Sequence, residues 1–243
     1  MAVWIITLVG LFIQGKETVT FPSGDGVTIT ADLYAPHDKS APMILLFHQA
    51  NWSRGEYKEI APRLNELGFN CMAIDLRSGN TVNDITNLTN TSAREKFKET
   101  RYVDALPDMM AAINYAKTHY SSGKLMLWGS SYSAALVLKI AGDHNAMLDG
   151  VLAFSPGEYF TSQGKPRNFI ASSAVNIECP VFITSALNEK SNWWGMYVSI
   201  SSANKAYFLP TTTGNHGSRS LWSKFPDSEQ YWEAVNSFLD SIK

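Results

Sequence analysis

The sequence predicts an α/β architecture in which a mostly parallel central sheet opens with an antiparallel hairpin and carries helices on both faces. Short apolar runs alternate with helical patterns along most of the chain, and this alternation is typical of parallel strands joined by crossover helices. The 243 residues, of which 45% are hydrophobic, are enough for one well-buried core. We therefore expect a single domain over residues 16–243.

The chain begins with an apolar segment, residues 1–15, that has the length of a signal-peptide core and is too short to span a bilayer. It has neither a basic start nor a clear cleavage site. We expect export, with a cytoplasmic location as the alternative, and we expect no stable membrane span. Residues 17–21 and 27–34 follow, and the turn sequence Pro22-Ser23-Gly24-Asp25-Gly26 between them predicts the antiparallel hairpin.

The remaining elements follow from hydrophobic periodicity and from turn residues. Helices are predicted over residues 56–67, 107–119, 131–141 and 228–242. The Asn- and Thr-rich stretch 78–91 indicates a solvated loop, and Ser92-Ala93-Arg94-Glu95 offers a capping box for a polar helix running towards Tyr102. Residues 155–177 form only a short polar insertion with Gly and Pro, so we expect no large lid.

The most informative motif is Gly129-Ser130-Ser131-Tyr132-Ser133, which lies between a short apolar strand and an apolar helical run. A strand, a tight turn and a buried helix are the context of a nucleophile elbow. Gly129 and Ser133 are small enough for the strand and the helix to approach each other. Ser131 is therefore the candidate nucleophile.

An elbow serine needs a histidine that follows it in the chain. Only two of the five histidines do so. His144 comes just after the helix that starts at the elbow, where a solvated turn is expected. His216 follows the predicted strand 206–210 and stands between Gly214 and Gly217, which let a loop fold tightly over a site. We predict that His216 is the general base.

The carboxylate that orients this histidine has two candidates. Glu189 is the only carboxylate in the loop after the buried strand 179–185, and Asn188 occupies the position where an aspartate would be the commoner choice. Glu158 follows the preceding strand. We prefer Glu189, whose longer side chain can reach the same place from one residue further on, and Glu158 is the alternative.

The apolar strand 43–47 runs into His48-Gln49-Ala50. In enzymes with such an elbow, the loop after this strand and the residue after the nucleophile each donate a backbone N–H to an oxyanion. We predict Ala50 and Tyr132 as these donors, with the side chain of Gln49 beside them. His48 fits an anchor of the loop at least as well as a chemical role.

Composition and motifs limit the ligands. A net charge of −2 gives no reason to expect nucleic acid, and no metal-binding spacing occurs in the sequence. We expect chemistry without a cofactor and a small-molecule substrate. The sequence is compatible with a homodimer. Aromatic residues near the predicted loops are candidates for the substrate pocket, although each is about as compatible with the core: Trp52, Tyr159, Trp193, Trp194 and Trp222.

From about Lys16 to its C-terminus the chain resembles the α/β-hydrolases, closest in layout to the dienelactone-hydrolase-like and small carboxylesterase branch. The resemblance rests on the elbow, on the loop of His216 and on the strand-then-Asp-x-Arg passage that ends at Arg77. Dienelactone hydrolases use a cysteine nucleophile, so their substrate does not carry over to a chain with Ser131.

The resemblance implies a serine hydrolase that cleaves small carboxylic esters through an acyl-enzyme, with Ser131, His216 and Glu189 as its triad. A thioesterase or small-peptide hydrolase with the same triad is the alternative. A ligand-binding protein without catalysis is a further alternative, but such a protein has no need to keep both Ser131 and His216.

Overall fold

The structure is a computed structural model that describes residues 16–243, so the apolar segment 1–15 and its predicted role in export lie outside the described residues. The strands are β1 (Glu17–Pro22), β2 (Thr28–Tyr34), β3 (Met43–Phe47), β4 (Asn70–Ile74), β5 (Thr81–Val82), β6 (Ile85–Thr86), β7 (Leu125–Ser130), β8 (Gly150–Phe154), β9 (Val181–Thr184) and β10 (Lys205–Phe208). The helices are α1 (Ile60–Glu66), α2 (Leu88–Glu95), α3 (Leu106–His119), α4 (Tyr132–Asp143), α5 (Ala171–Ala174), α6 (Lys190–Ser199) and α7 (Ser228–Asp240).

Within the described range, eight strands form one sheet in the order β1-β2-β4-β3-β7-β8-β9-β10, and β5 and β6 form a separate two-stranded ribbon. The pairs β1–β2 and β2–β4 are antiparallel, whereas every pair from β4 to β10 along the sheet is parallel. The predicted hairpin and the mostly parallel sheet are confirmed.

The register of the parallel strands brings their carboxyl ends to one edge. Phe47 of β3 lies beside Gly129 of β7, and Ser130 lies beside Phe154 of β8. Phe154 in turn lies beside Thr184 of β9. Ligands of open α/β sheets bind beyond this edge, so the loops that follow these strands are the place to examine for chemistry.

Both faces of the sheet are covered, as predicted. Along β3, Met43, Leu45 and Phe47 face one apolar core, and Ile44 and Leu46 face the other, which is the period-two pattern of a strand buried on both sides. The first core packs against α3, α4 and α6, and the second against α1 and α7.

Two local predictions are wrong. The region predicted as one helix over residues 56–67 is a 3-10 turn, Arg54–Tyr57, followed by the shorter α1. The stretch predicted as a solvated loop contains β5, β6 and the start of α2, so Ser92 does not cap a helix. Asn87 does so instead, because its side-chain oxygen accepts the Asn90 N–H while its amide donates to Trp52 C=O on another loop.

The connection between β8 and β9 holds only a 3-10 turn and the four-residue α5, so no large lid occurs among residues 16–243, as predicted. Across residues 16–243, none of the helices combines the length and the apolar character that crossing a bilayer requires.

The passage that ends at Arg77, just after β4, anchors a buried ion-pair cluster. The Arg77 guanidinium lies 2.6 Å from Asp108 of α3 and 2.7 Å from Asp25 of the hairpin turn. The side chain of Asp108 is fully buried and that of Arg77 is 3% exposed. A buried charge without its partner is costly, so this cluster ties the hairpin and α3 to the sheet.

A second cluster lies beside the first. The Arg54 guanidinium lies 2.6 Å from Asp75 and 3.0 Å from Asp32 of β2, and the side chains of both aspartates are fully buried. The Asp75 carboxylate also accepts the N–H groups of Arg54 and Leu88. The loop after β3 is thereby fixed to the antiparallel edge of the sheet.

The Arg77 cluster yields a prediction about stability. Asp108→Ala should lower the free energy of unfolding by about 3–5 kcal/mol, because it removes the buried partner of a buried guanidinium. Urea denaturation followed by circular dichroism measures this loss.

The matched control is Glu229→Ala, which removes a bidentate Arg63 pair whose glutamate is 65% exposed. Exposed pairs contribute less than about 1 kcal/mol, so the control should unfold almost like the wild type. Equal losses in the two variants would contradict the role assigned to Arg77.

Candidate active site

Ser131 occupies the turn between β7 and α4 with φ +60° and ψ −120°. This conformation is strained for a residue with a Cβ, and its surroundings impose it. The Ser131 N–H donates to Phe154 C=O of the neighbouring strand at 2.8 Å. At Gly129, a Cβ would lie 2.5 Å from the backbone of Ala134, so only glycine permits this approach of strand and helix.

Ser133, which stands where such elbows usually have glycine, takes part in the turn. Its hydroxyl accepts the Ser130 N–H at 2.8 Å and lies 2.7 Å from Phe47 C=O at the end of β3. The hydroxyl therefore joins the elbow to the adjacent strand.

His216 and Glu189 meet at the same edge of the sheet. The Glu189 Oε1 lies 2.5 Å from the His216 Nδ1, and their loops are joined where the Leu187 N–H donates to Thr213 C=O at 3.0 Å. Burial would raise the pKa of Glu189, but hydrogen bonds from His216 and Ser155 hold it below its usual range. The carboxylate is therefore ionised at neutral pH, and Nδ1 of His216 is the donor.

Ser155, which sequence reasoning missed, orients this carboxylate. Its hydroxyl donates to the Glu189 Oε2 at 2.7 Å and accepts the Gly217 N–H at 2.9 Å. Ser155 follows β8 directly and has φ +57°, a second strained serine beside the first. Its position at a strand end was the only signal in the sequence, since its partners lie far away along the chain.

Glu158, the alternative acid, is engaged elsewhere. Its carboxylate accepts the N–H groups of Ile170 and Ala171 at 2.9–3.1 Å, where α5 begins. These contacts make Glu158 a helix cap, and the structure brings Glu189 rather than Glu158 to His216.

The loop of His216 is attached to the residue that precedes Ser131. The Ser218 N–H donates to the Ser130 Oγ at 2.9 Å, and the Ser218 hydroxyl accepts the indole N–H of Trp128 at 2.9 Å. Because Ser218 is two residues beyond His216, these bonds hold the histidine loop over the elbow.

The loop after β3 supplies one of the two predicted oxyanion donors. The Gln49 N–H already donates to Glu56, whereas the Ala50 and Tyr132 N–H groups donate to no other group among residues 16–243. The two residues follow neighbouring parallel strands, so both N–H groups are available at the edge that carries Ser131.

His48 anchors this loop, as the sequence suggested. Its Nε2 accepts the Leu76 N–H at 2.9 Å, so Nδ1 carries the proton and donates to Gln49 C=O at 2.7 Å. Burial lowers the pKa of His48 to about 4, and the ring stays neutral. Because a peptide group is planar and trans, fixing the Gln49 carbonyl also fixes the direction of the Ala50 N–H.

Three of the aromatic candidates lie near these loops. The Tyr159 hydroxyl donates to Ser155 C=O at 2.8 Å; burial and the negative charge of Glu189 raise its pKa. Trp52 stacks on Trp222 with 5.2 Å between ring centroids. Trp222 is almost fully buried and Trp52 only partly so, which leaves Trp52 as the accessible face of the pair.

The other two candidates belong to α6. Trp193 is fully buried, and its indole N–H donates to the Ser185 hydroxyl at 2.8 Å. Trp193 is thus a core residue and does not line an open pocket. Trp194 is partly buried and stacks on Tyr197 beside Lys190, in an aromatic cluster next to the edge strand β10. A surface cavity of about 470 Å³ between β1 and α3 contains none of the predicted site residues.

The family model described as serine aminopeptidase, S33, matches residues 38–190, more than half of the chain. No curated protein sequence matches the chain.

Solved structures share the fold. A dienelactone hydrolase from Anabaena variabilis superimposes with a TM-score of 0.71 at 12% identity, covering 94% of this chain and 98% of its own. The esterase Pf2001 from Pyrococcus furiosus gives 0.69 at 14% identity, covering 94% and 91%. Est1E from Butyrivibrio proteoclasticus, solved with ferulic acid bound, gives 0.67 at 14% identity, covering 90% and 96%.

At these identities the structural likeness concerns the fold, and it confirms the predicted resemblance to the α/β-hydrolases and to dienelactone hydrolase in layout. With the family match over residues 38–190, the chain belongs to the serine aminopeptidase S33 family of α/β-hydrolases.

Proposed function

We propose that the protein is a serine hydrolase that cleaves small carboxylic esters, with Ser131 as nucleophile, His216 as general base and Glu189 as the acid that orients it. The observation that carries the proposal is the 2.5 Å contact between Glu189 Oε1 and His216 Nδ1. His216 stands on a loop that is bonded to Ser130. The next residue, Ser131, has the strained backbone of a nucleophile elbow.

The acylation step follows from these roles. Because Nδ1 of His216 donates to an ionised Glu189, Nε2, which has no partner among residues 16–243, is the acceptor. It takes the Ser131 proton as the serine oxygen bonds to the acyl carbon. The carbonyl oxygen gains negative charge, which the N–H groups of Ala50 and Tyr132 would stabilise. The imidazolium then gives its proton to the leaving alcohol as the ester bond breaks.

In deacylation, water is the nucleophile and Ser131 is the leaving group. His216 removes a proton from water, the hydroxide oxygen attacks the acyl carbon, and the proton passes to the departing oxygen of Ser131. Throughout both steps Glu189 stays ionised and stabilises the charged imidazolium. Ser155 supports this role, because its hydroxyl holds the second carboxylate oxygen of Glu189.

Two features favour small substrates. The connection after β8 contains only a 3-10 turn and α5, so nothing the size of a lid domain encloses a long chain there. Tyr159, bonded to Ser155, and Trp52, on the loop after β3, offer aromatic surface on the site loops, which suits a short acyl or aryl group. The names of two structural neighbours, an esterase and a protein with bound ferulic acid, point to the same class.

The family description favours a second candidate, a small-peptide hydrolase with the same triad. A peptide with a free amino terminus calls for a carboxylate that receives its ammonium group. Among the described residues, the two carboxylates bonded to His216 and to Ser130 are already occupied: Glu189 by His216, Ser155 and Ala186, and Glu56 by Ser130 and Gln49. This saturation favours esters over aminopeptidase substrates.

The nucleophile provides the first test. Wild-type protein should hydrolyse p-nitrophenyl esters of short acyl chains faster than thioesters or aminoacyl p-nitroanilides, and a fluorophosphonate should label Ser131 with one-to-one stoichiometry. Ser131→Ala should abolish labelling and lower kcat by about 10⁶. Mass spectrometry of the labelled peptide and initial rates measure both effects. Ester hydrolysis that survives the substitution, or a label on another residue, would falsify the proposal.

The acid provides the second test. Glu189→Gln should lower kcat by about 10⁴, because a neutral amide neither fixes the histidine tautomer nor stabilises the imidazolium. Glu158→Gln is the matched control; it alters the cap of α5 and should leave kcat within a few-fold of the wild type. Circular dichroism checks the fold of both variants. A crippled Glu158→Gln beside an active Glu189→Gln would assign the acid to the earlier loop.

A further inference from the structure

Glu56 is a fully buried carboxylate that takes no part in the steps proposed above. It lies in the 3-10 turn after β3 and is 0% exposed. Its Oε1 accepts the Ser130 hydroxyl at 2.7 Å, and its Oε2 accepts the Gln49 N–H at 2.8 Å. Burying an acidic group is costly, so its position beneath the site requires a reason.

The partners of Glu56 are the immediate neighbours of proposed site residues. Ser130 precedes Ser131, and Gln49 precedes Ala50. Ser130 Oγ also accepts the Ser218 N–H at 2.9 Å. In the ionised form of Glu56 the Ser130 hydroxyl donates to one carboxylate oxygen while its own oxygen accepts the Ser218 N–H, and both carboxylate oxygens are acceptors. One side chain thus holds the elbow and the oxyanion loop directly, and the histidine loop through Ser130.

The contact with Gln49 completes a clamp on the oxyanion loop. Glu56 holds the N–H of Gln49, while His48 holds its C=O at 2.7 Å. Both peptide groups that flank this residue are therefore fixed, and the second of them carries the Ala50 N–H. The space between the loops is equally constrained: a Cβ on Gly217 would lie 2.5 Å from Ser130 Oγ and 2.7 Å from Gln49 Oε1.

We propose that Glu56 is a positioning residue of this site: its carboxylate keeps the oxyanion donors and the loop of His216 in fixed places around Ser131. The inference rests on the proposed function. It concerns the geometry in which the transition state is stabilised, so a change at Glu56 should act on kcat more than on KM.

The charge state of Glu56 should make its effect on kcat depend on pH. Burial raises its pKa to about 7, against hydrogen bonds from Ser130 and Gln49 and the positive charge of Arg219. The other titratable groups that face it are the hydroxyls of Tyr57 and Tyr132, whose pKa values burial raises well above 10.

These two tyrosines stay neutral, so Glu56 is the group that changes charge near neutrality. Its pKa in the folded state lies above its ordinary value of 4.5, so the fold favours the protonated form. The stabilisation it gives the fold is lost as the pH rises through about 7, while the ionised form, which accepts both hydrogen bonds, becomes dominant.

The test is Glu56→Gln, which keeps the shape of the side chain but replaces one acceptor oxygen by a donor. With a short p-nitrophenyl ester at about pH 8, kcat should fall roughly 10- to 100-fold, as for a small misplacement of catalytic groups, while KM stays within a few-fold. The ratio of wild-type to variant kcat should shrink towards about pH 6, where the wild-type carboxyl is itself neutral. A purely structural role would not produce this dependence.

The matched control is Glu59→Gln, the same substitution three residues away at an exposed carboxylate bonded to Ser223; it should keep wild-type kcat. Ser130→Ala, a smaller change, serves if Glu56→Gln does not fold, and it should also lower kcat at least about tenfold. The double variant should lose little more than the worse single variant, because both act through one link.

The outcomes separate this proposal from the function on which it rests. If the wild type hydrolyses esters and Glu56→Gln and Ser130→Ala do so at wild-type kcat, the positioning role is overturned and the proposed function stands. A loss in Glu56→Gln that appears only in KM, or a kcat ratio independent of pH, also overturns it. If the wild type neither hydrolyses esters nor reacts with a fluorophosphonate, both proposals fail.

Discussion

Ser131 holds a backbone conformation, φ +60°, that a residue with a Cβ adopts only where its surroundings impose it. The surroundings here are a glycine that lets α4 approach β7, a serine hydroxyl that joins the turn to β3, and a backbone bond to the end of β8. The last two depend on the parallel register that brings the strand ends to one edge. The position of Ser131 is therefore set by neighbouring strands as well as by its own turn.

The scaffold and the site loops are held together by different kinds of interaction. Arg54 and Arg77 form buried clusters with aspartates that fasten the hairpin and α3 to the sheet. The site loops, in contrast, are connected by hydroxyls: Ser130, Ser133 and Ser155 each join two segments. A hydroxyl donates and accepts at once, so it can link a carboxylate to a backbone N–H without a further buried charge.

Sequence reasoning found what local patterns encode. Ser131, His216 and Glu189 each follow an apolar run, and the strand ends could be read from those runs. Glu56 and Ser155 were missed because the residues that they contact, Ser130 and Glu189, lie 74 and 34 residues away in the chain. Adjacent Trp193 and Trp194 could not be separated, since the sequence does not say which one faces the core. The true cap of α2, Asn87, was hidden because its amide is held by another loop.

The two serines with positive φ directly follow the neighbouring strands β7 and β8, and the N–H of each donates to the last residue of the next strand: Ser131 N–H to Phe154 C=O, and Ser155 N–H to Thr184 C=O. Two successive backbone hydrogen bonds at the ends of β7, β8 and β9 thus hold both strained residues in place. Strand ends open more readily than strand centres. Warming that breaks these two hydrogen bonds releases both serines together. Heat should therefore disorganise the site as a unit before the core melts.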